Sequence, residues 1–298
     1  MKDQQHHSQS LAVSIRLALV ATALAAVPAY GQSHLKEAWF FNDLAGSAPN
    51  GTTTLSTSGT VATVRGAGAS FTGTGLSLPG GSSSVAAYLD LPNGMISSLT
   101  DTSFEFWVTV RSHQAWQRVF DFGTGTAGEL TGPGGSASGN NYLFLSANIG
   151  NLPNTQRLEW NTASTGVDTT ASLPLNVPQH IVVTFDDRQD LSQPGLVAWY
   201  LNGALIGSQV NSQRLATLND VNNWLGRSQY TGDSNSDMIY DSFAIYDVAL
   251  SQSQVSSQFG SGPDSPAYSP VPETSTYAAG VALAAFAGGT WWRARRRA

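Results

Sequence analysis

The stretch TSFEFWVTVR, Thr102 to Arg111, sets Phe104, Phe106, Val108 and Val110 at alternate positions, with Glu105, Trp107 and Thr109 between them. Successive side chains of a strand point to opposite faces, so this pattern predicts a strand with one wholly apolar face. HIVVTF (His180 to Phe185) and LVAWYLNGALIG (Leu196 to Gly207) repeat the theme. In the second, Asn202-Gly203 lies between two apolar arms, the signature of a two-residue hairpin turn. NYLFLSA (Asn141 to Ala147), QRLEW (Gln156 to Trp160) and SFAIYDVAL (Ser242 to Leu250) add strands, and SQSQVSSQF after Leu250 reads as a helical turn. Many short strands separated by Gly, Asn, Asp and Ser predict an all-β sandwich or barrel. The Gly/Ser-rich run from Gly123 to Asn141 has strands on both sides and reads as a surface loop.

Outward from this body, both ends differ in character. Lys2 and Arg16 precede an apolar stretch from Leu17 to Val27, followed by Pro28, Ala29, Tyr30 and Gly31. A basic start, a short apolar core and small residues at the exit describe a secretory signal peptide over residues 1–31. GSGPDSPAYSP, Gly260 to Pro270, has no strand pattern and reads as a spacer over 261–270. An apolar run from Tyr277 to Trp292 follows, about 24 Å long as a helix at ~1.5 Å per residue. A bilayer core is about 30 Å thick. The expected domain is therefore 32–260. Between Gln32 and Pro270 there are eight basic and eighteen acidic residues, a difference of −10 against −6 for the whole chain. Such a surface has no means of neutralising phosphates, which argues against nucleic acid as a partner. The chain has no cysteine, so thiolate metal sites and cysteine nucleophiles are excluded.

Three blocks taken in order resemble the laminin-G-like, concanavalin A-like jelly rolls. DTSFEFWVTVRSHQAWQRVFDFG is similar to that family's tryptophan strand and the "rifdfg" strand after it. QHIVVTFDD with LVAWYLNGALIG is similar to its "hvavtyd…lYlNG" hairpin, and NNWLGRSQYTGDSNSDMIYDSFAIYDVALSQSQV to its "lGrs…iDevriynraLs" ending. EAWFFNDLAG fits its first strand and turn. Met238 stands where the family has glycine, and Ser242 where it has an acidic residue. The resemblance implies a concanavalin A-like jelly-roll β-sandwich. The tail resembles the PEP-CTERM sorting signal over 271–298: Val271, Pro272, Glu273, Thr274, Ser275 and Thr276, the apolar helix, then Arg293, Arg295, Arg296 and Arg297. Thr274 stands where that signal usually has a second proline. The likeness implies a transmembrane sorting helix held by the positive-inside rule. It also implies recognition by an exosortase, a membrane transpeptidase, and a route from an inner-membrane intermediate to the cell envelope or extracellular matrix.

Retaining glycosidases need two carboxylates about 5 Å apart. The hydrolases of this superfamily place them in Glu-x-Asp-x-x-Glu, and none of Glu37, Glu105, Glu129 and Glu159 begins such a motif. Asp186, Asp187 and Asp190 cluster after a strand, and His34, His113 and His180 are scattered. No catalytic residue is assigned. For calcium, Asp233, Asn235 and Asp237 alternate as in an oxygen-ligand loop, without the glycine and final Glu of an EF-hand. Relatives that hold calcium between the first turn and last strand imply Asn42, Asp43 and Asp241. The other reading of both sets is a solvated polar turn. For glycans, Trp116, Trp160, Trp224 and Tyr230 lie near strand ends beside Asn, Asp and Arg, as stacking platforms or as packing residues. The expectation is an exported, non-catalytic surface or matrix protein that binds carbohydrate, exopolysaccharide included, or serves adhesion. The alternative is a glycan-active hydrolase or lyase on the same scaffold.

Overall fold

The computed structural model describes residues 34–150, 155–160, 167–169, 173–187 and 194–264. The expected signal peptide, the sorting motif Val271–Ser275 and the arginine cluster lie outside the described residues. In chain order the strands are β1 Leu35–Phe40, β2 Gly46–Ser47, β3 Thr53–Leu55, β4 Val61–Arg65, β5 Ser70–Phe71, β6 Leu76–Gly81, β7 Tyr88–Leu91, β8 Thr102–Val110 and β9 Arg118–Gly125. They continue as β10 Gly139–Ser146, β11 Gln156–Trp160, β12 Val167–Thr169, β13 Pro178–Asp186, β14 Gly195–Leu201, β15 Ala204–Asn211, β16 Asn222–Leu225 and β17 Asn235–Tyr246. The helix α1 spans Gln252–Ser261.

Two antiparallel sheets face each other. One has the order β15-β14-β13-β8-β17-β6-β5-β2, with β1 also paired to β17; the other is β12-β11-β10-β9-β16-β7-β4-β3. The alternation in Thr102–Arg111 decides how they pack. Phe104 and Phe106 point inward, where Phe106 stacks on Phe243 at 4.7 Å and on Phe120 at 5.4 Å. Phe104 meets Phe122 and Phe185 edge-on. The inter-sheet layer is thus an aromatic core, and rings at these separations add about 0.5–1.5 kcal/mol per pair beyond their burial. Asn202 and Gly203 have φ of 49° and 78°, as the hairpin sequence predicts, and join β14 to β15. The twelve-residue β17 pairs first with β6 and then with β1, and its register shifts at Asp241.

SQSQVSSQF forms more than a turn. Ser251 caps α1 through Gln254 in a reciprocal capping box, and Val255 and Gln258 are buried against the first sheet. The Gly/Ser run after β9 is pinned rather than loose. Arg227 donates to the carbonyls of Gly132 and Gly134, Leu130 N–H donates to Asn222, and Ala137 N–H to Thr231. It folds over the outer face of the second sheet, where the Arg227 guanidinium lies 4.5 Å from the Tyr88 ring and 4.6 Å from the Trp224 ring.

Candidate functional site

What the pinned loop leaves open on that face is a pocket of about 300 Å³ lined by Trp116, Arg118, Phe144, Arg157, Glu159, Tyr230 and Asp233. That is the lower end of the range for small-molecule sites, about 300–1,000 Å³. Strand alternation builds its floor. In β10, Leu143 and Leu145 face the core, so Tyr142 and Phe144 face out. In β11, Leu158 and Trp160 face the core, so Arg157 and Glu159 face out beside them. Arg118 starts β9 and lays its guanidinium 3.9 Å above the Phe144 ring.

The walls come from two loops. Trp116, half-buried, adopts φ of 58°, a left-handed conformation that a bulky residue occupies only under constraint. Two hydrogen bonds impose it: Trp116 N–H donates to Asn148 O at 3.0 Å, and Arg118 Nη1 donates to Trp116 O at 2.7 Å. Tyr230 packs edge-on to Tyr142 and donates to its hydroxyl at 3.2 Å, and Tyr142 in turn donates to Glu159 at 2.8 Å. Two aromatic faces therefore flank a floor of charged groups held in place by their neighbours.

Those charges are paired within the protein. Arg118 is 2% exposed and donates through Nε to Asp121 and through Nη2 to Asp233. Arg157 forms a fork on Asp168 at 2.7 and 2.8 Å and reaches Glu159 at 3.3 Å. Burial pushes the Asp121 carboxyl up to about 7 against the opposing pull of Arg118. Burial also raises Asp233, again against Arg118. A second, far smaller cavity of about 10 Å³ lies between the sheets by Leu158, Trp160 and Val197 and has room for no ligand.

The aromatic residues proposed as platforms separate cleanly. Trp116 and Tyr230 line the pocket. Trp160 is 3% exposed in the inter-sheet core, edge-on to Phe185. Trp224 is fully buried, donating to Asp90 beneath Arg227. Neither offers a face to a sugar, so both are corrected to packing residues. Arg118 opens the QRVFDFG strand, whereas Phe144, Arg157 and Glu159 carry no local motif, and all four join the site only through strand pairing. Glu159 begins no Glu-x-Asp-x-x-Glu motif, yet it shares a pocket with Asp233, from a segment over seventy residues away.

The calcium candidates are dispersed. Asp233 faces the pocket, Asn235 turns inward and donates to the Ala86 carbonyl, and Asp237 pairs with Arg111 at 2.7 Å. Asn42 and Asp43 are exposed, while Asp241 sits at the register shift of β17. Among the described residues no three acidic or histidine side chains are grouped to hold a metal. The donors present do not fit a calcium cage.

Asp241 itself makes a checkable prediction. Burial, with a smaller contribution from Asp264, raises its carboxyl to about 6. The folded state then holds a proton that the unfolded state releases between about pH 4 and pH 6, so stability falls as pH rises through that window. Asp241→Asn removes the penalty. Its melting temperature is expected to exceed that of the unmodified protein at pH 7.5 and to equal it at pH 3.5. A variant less stable at pH 7.5 in calcium, but not in chelator, reverses the assignment and makes Asp241 a ligand.

Among the described residues, the histidines and the Asp187 carboxylate are held in pairs outside the pocket. His180 pairs with Glu105 beneath α1, His34 with Asp247, His113 with Asn148, and Asp187 with Arg214. Asp190 lies outside the described residues.

The profile described as the concanavalin A-like lectin/glucanases superfamily matches residues 81–256, more than half of the chain. No curated protein matches. Among solved structures, domain 4 of an extracellular arabinanase from Geobacillus stearothermophilus, in complex with arabinotriose, superposes with a TM-score of 0.54. It is 19% identical, over 76% of this chain and 98% of that domain. Trypanosoma rangeli sialidase in complex with sialic acid gives a TM-score of 0.53 at 18% identity, over 77% of this chain. The match spans only 33% of the sialidase. At such identities these likenesses concern the fold.

Proposed function

The chain belongs to the concanavalin A-like lectin/glucanases superfamily, and from that premise we propose that it is an exported glycan-binding protein that uses the Trp116–Tyr230 pocket. The observation that carries this reading is the pocket itself: two aromatic faces over a floor of positioned polar groups. Sugar rings stack their CH faces on aromatic rings while their hydroxyls exchange hydrogen bonds with charged side chains. The strained backbone at Trp116 supports a role for that residue, because strain persists where the surrounding structure enforces it. Residues 32–260 form the binding domain in this proposal, and 271–298 the exosortase-dependent sorting signal that delivers it to the envelope or matrix.

Trp116→Ala is expected to weaken binding by about thirtyfold, the ~2 kcal/mol lost with a buried aromatic anchor. Isothermal titration with the strongest ligand from a glycan array measures it. Trp116→Gly restores an unstrained backbone, so it is expected to match or exceed the unmodified protein in melting temperature while losing the same affinity. Undiminished binding by both variants sinks the reading.

A second reading rests on one observation. Glu159 and Asp233 line the same pocket, and burial raises Asp233, as a general acid requires. Release of reducing ends from a bound glycan, abolished by Asp233→Asn, is the outcome that favours a hydrolase.

A further inference from the structure

The charged groups that line the pocket balance, Arg118 and Arg157 against Glu159 and Asp233, and the excess of negative charge lies in the carboxylates behind them. Arg118 and Arg157 face Glu159, Asp233, Asp121 and Asp168, two guanidiniums against four carboxylates. With Asp121 protonated and Asp233 ionised the cluster carries one net negative charge, and it sits on a body that is itself acidic. The arginines are also engaged by the protein's own acceptors. The fork of Arg157 closes on Asp168, and the buried Arg118 spends its donors on Asp121, Asp233 and the Trp116 carbonyl. Recognition of an acidic sugar by arginine uses such a fork facing the ligand. The acceptors are better placed. Asp233 receives Arg118 and Ser228 on Oδ2, while its Oδ1 takes no hydrogen bond from any described residue. The Arg118 and Arg157 guanidiniums already lie 5.8 and 5.7 Å from the Trp116 ring centroid, so Tyr230 is the ring left to a ligand cation and Trp116 serves an apolar sugar face.

We infer that this pocket selects a glycan bearing a free amino group, and discriminates against uronates and sialic acids. The inference rests on the glycan-binding reading of the same pocket and adds the charge class of the ligand. The ammonium would take its place on Asp233 Oδ1, on the side of the pocket that Glu159 shares, with the sugar ring lying against Trp116 or Tyr230.

The test uses the full-length protein and a glycan array with three arms: amino-bearing hexosamine oligosaccharides, their N-acetylated counterparts, and uronate or sialylated glycans. It is read at pH 6 and followed by titration of single trisaccharides to remove avidity. The amino arm is expected to bind at least tenfold more tightly than the N-acetylated arm, and the acidic arm not at all. Asp233→Asn and Glu159→Gln keep side-chain shape and are expected to bring the amino-to-acetyl ratio close to one. Asp247→Asn, an exposed carboxylate after β17, leaves the ratio unchanged. Equal or tighter binding of the N-acetylated or acidic arm overturns the charge selectivity and leaves glycan binding standing. A ratio that falls equally with Asp247→Asn assigns the preference to overall charge and overturns it too. Silence in all three arms overturns both.

Discussion

Glu105→Ala is expected to destabilise the protein by about 3–5 kcal/mol, the cost of breaking a buried, hydrogen-bonded ionisable group away from its partners. Glu105 lies on the outward face of β8, yet it is buried, because α1 packs over it. His180 Nε2 meets one of its oxygens at 2.7 Å, the Tyr246 hydroxyl donates to the other at 2.5 Å, and Gln258 from α1 donates to Tyr246 at 3.1 Å. Trp107 and Phe259 pack on the His180 ring and close the site from solvent. Removing the carboxylate leaves His180 and Tyr246 buried with unmet hydrogen bonds and loosens the helix they anchor. Glu105→Gln retains a group that both donates and accepts, and His180 can adopt the matching tautomer, so a loss of about 1 kcal/mol is expected. Denaturant unfolding measures both, and amide exchange in Gln252–Ser261 reports the helix. A domain of this size is stable by about 5–15 kcal/mol. Above about 5 kcal/mol of parent stability the alanine variant folds in water but melts well below the parent, and the pocket on the opposite sheet is untouched. Equal midpoints for Ala and Gln overturn the account.

Glu105 also marks the boundary of what local sequence conveys. Alternation in Thr102–Arg111 correctly divides core-facing from outward-facing residues, and Asn202-Gly203 encodes its own turn, because both depend on neighbours in the chain. Burial of an outward-facing residue depends on α1, more than a hundred residues later, which no periodicity in β8 reports. The tryptophans follow the same logic. Trp160 shares its strand face with Leu158, so QRLEW already contained the argument for a core position. Trp224 points away from the core-facing Leu225 and is covered by Arg227, which the loop of residues 126–138 holds through the Gly132 and Gly134 carbonyls. The pocket draws on four separate segments, joined by the pairing of β9, β10 and β11 and by a loop after β16. Its aromatic rim was legible as residue types; its charged floor was not, since Arg118, Arg157 and Glu159 acquire meaning only in register.

That register hinges on Gly123, and Gly123→Ala is expected to cost about 3 kcal/mol and to weaken ligand binding with it. Gly123 pairs with Tyr142 on one side and Asn222 on the other, so it lies in the interior of the sheet. Its φ is 140°, and a Cβ there would overlap the Asn141 carbonyl oxygen and stand 2.6 Å from Tyr142 Cα. Both are backbone atoms, which cannot swing aside as a flexible side chain can. The strand that must give way is β10, which carries Tyr142 and Phe144, so displacement transmits directly to the hydroxyl that holds Glu159 and the ring beneath Arg118. Gly128→Ala is the matched control. Its φ is 73° with nothing within 4 Å of the added Cβ, so only the backbone preference is lost, about 1 kcal/mol, and the pocket is untouched. Unfolding midpoints and ligand titration on the two variants separate the cases. If Gly123→Ala loses no more stability than Gly128→Ala and binds as tightly as the parent, the close approach of β9 and β10 does not position the pocket floor.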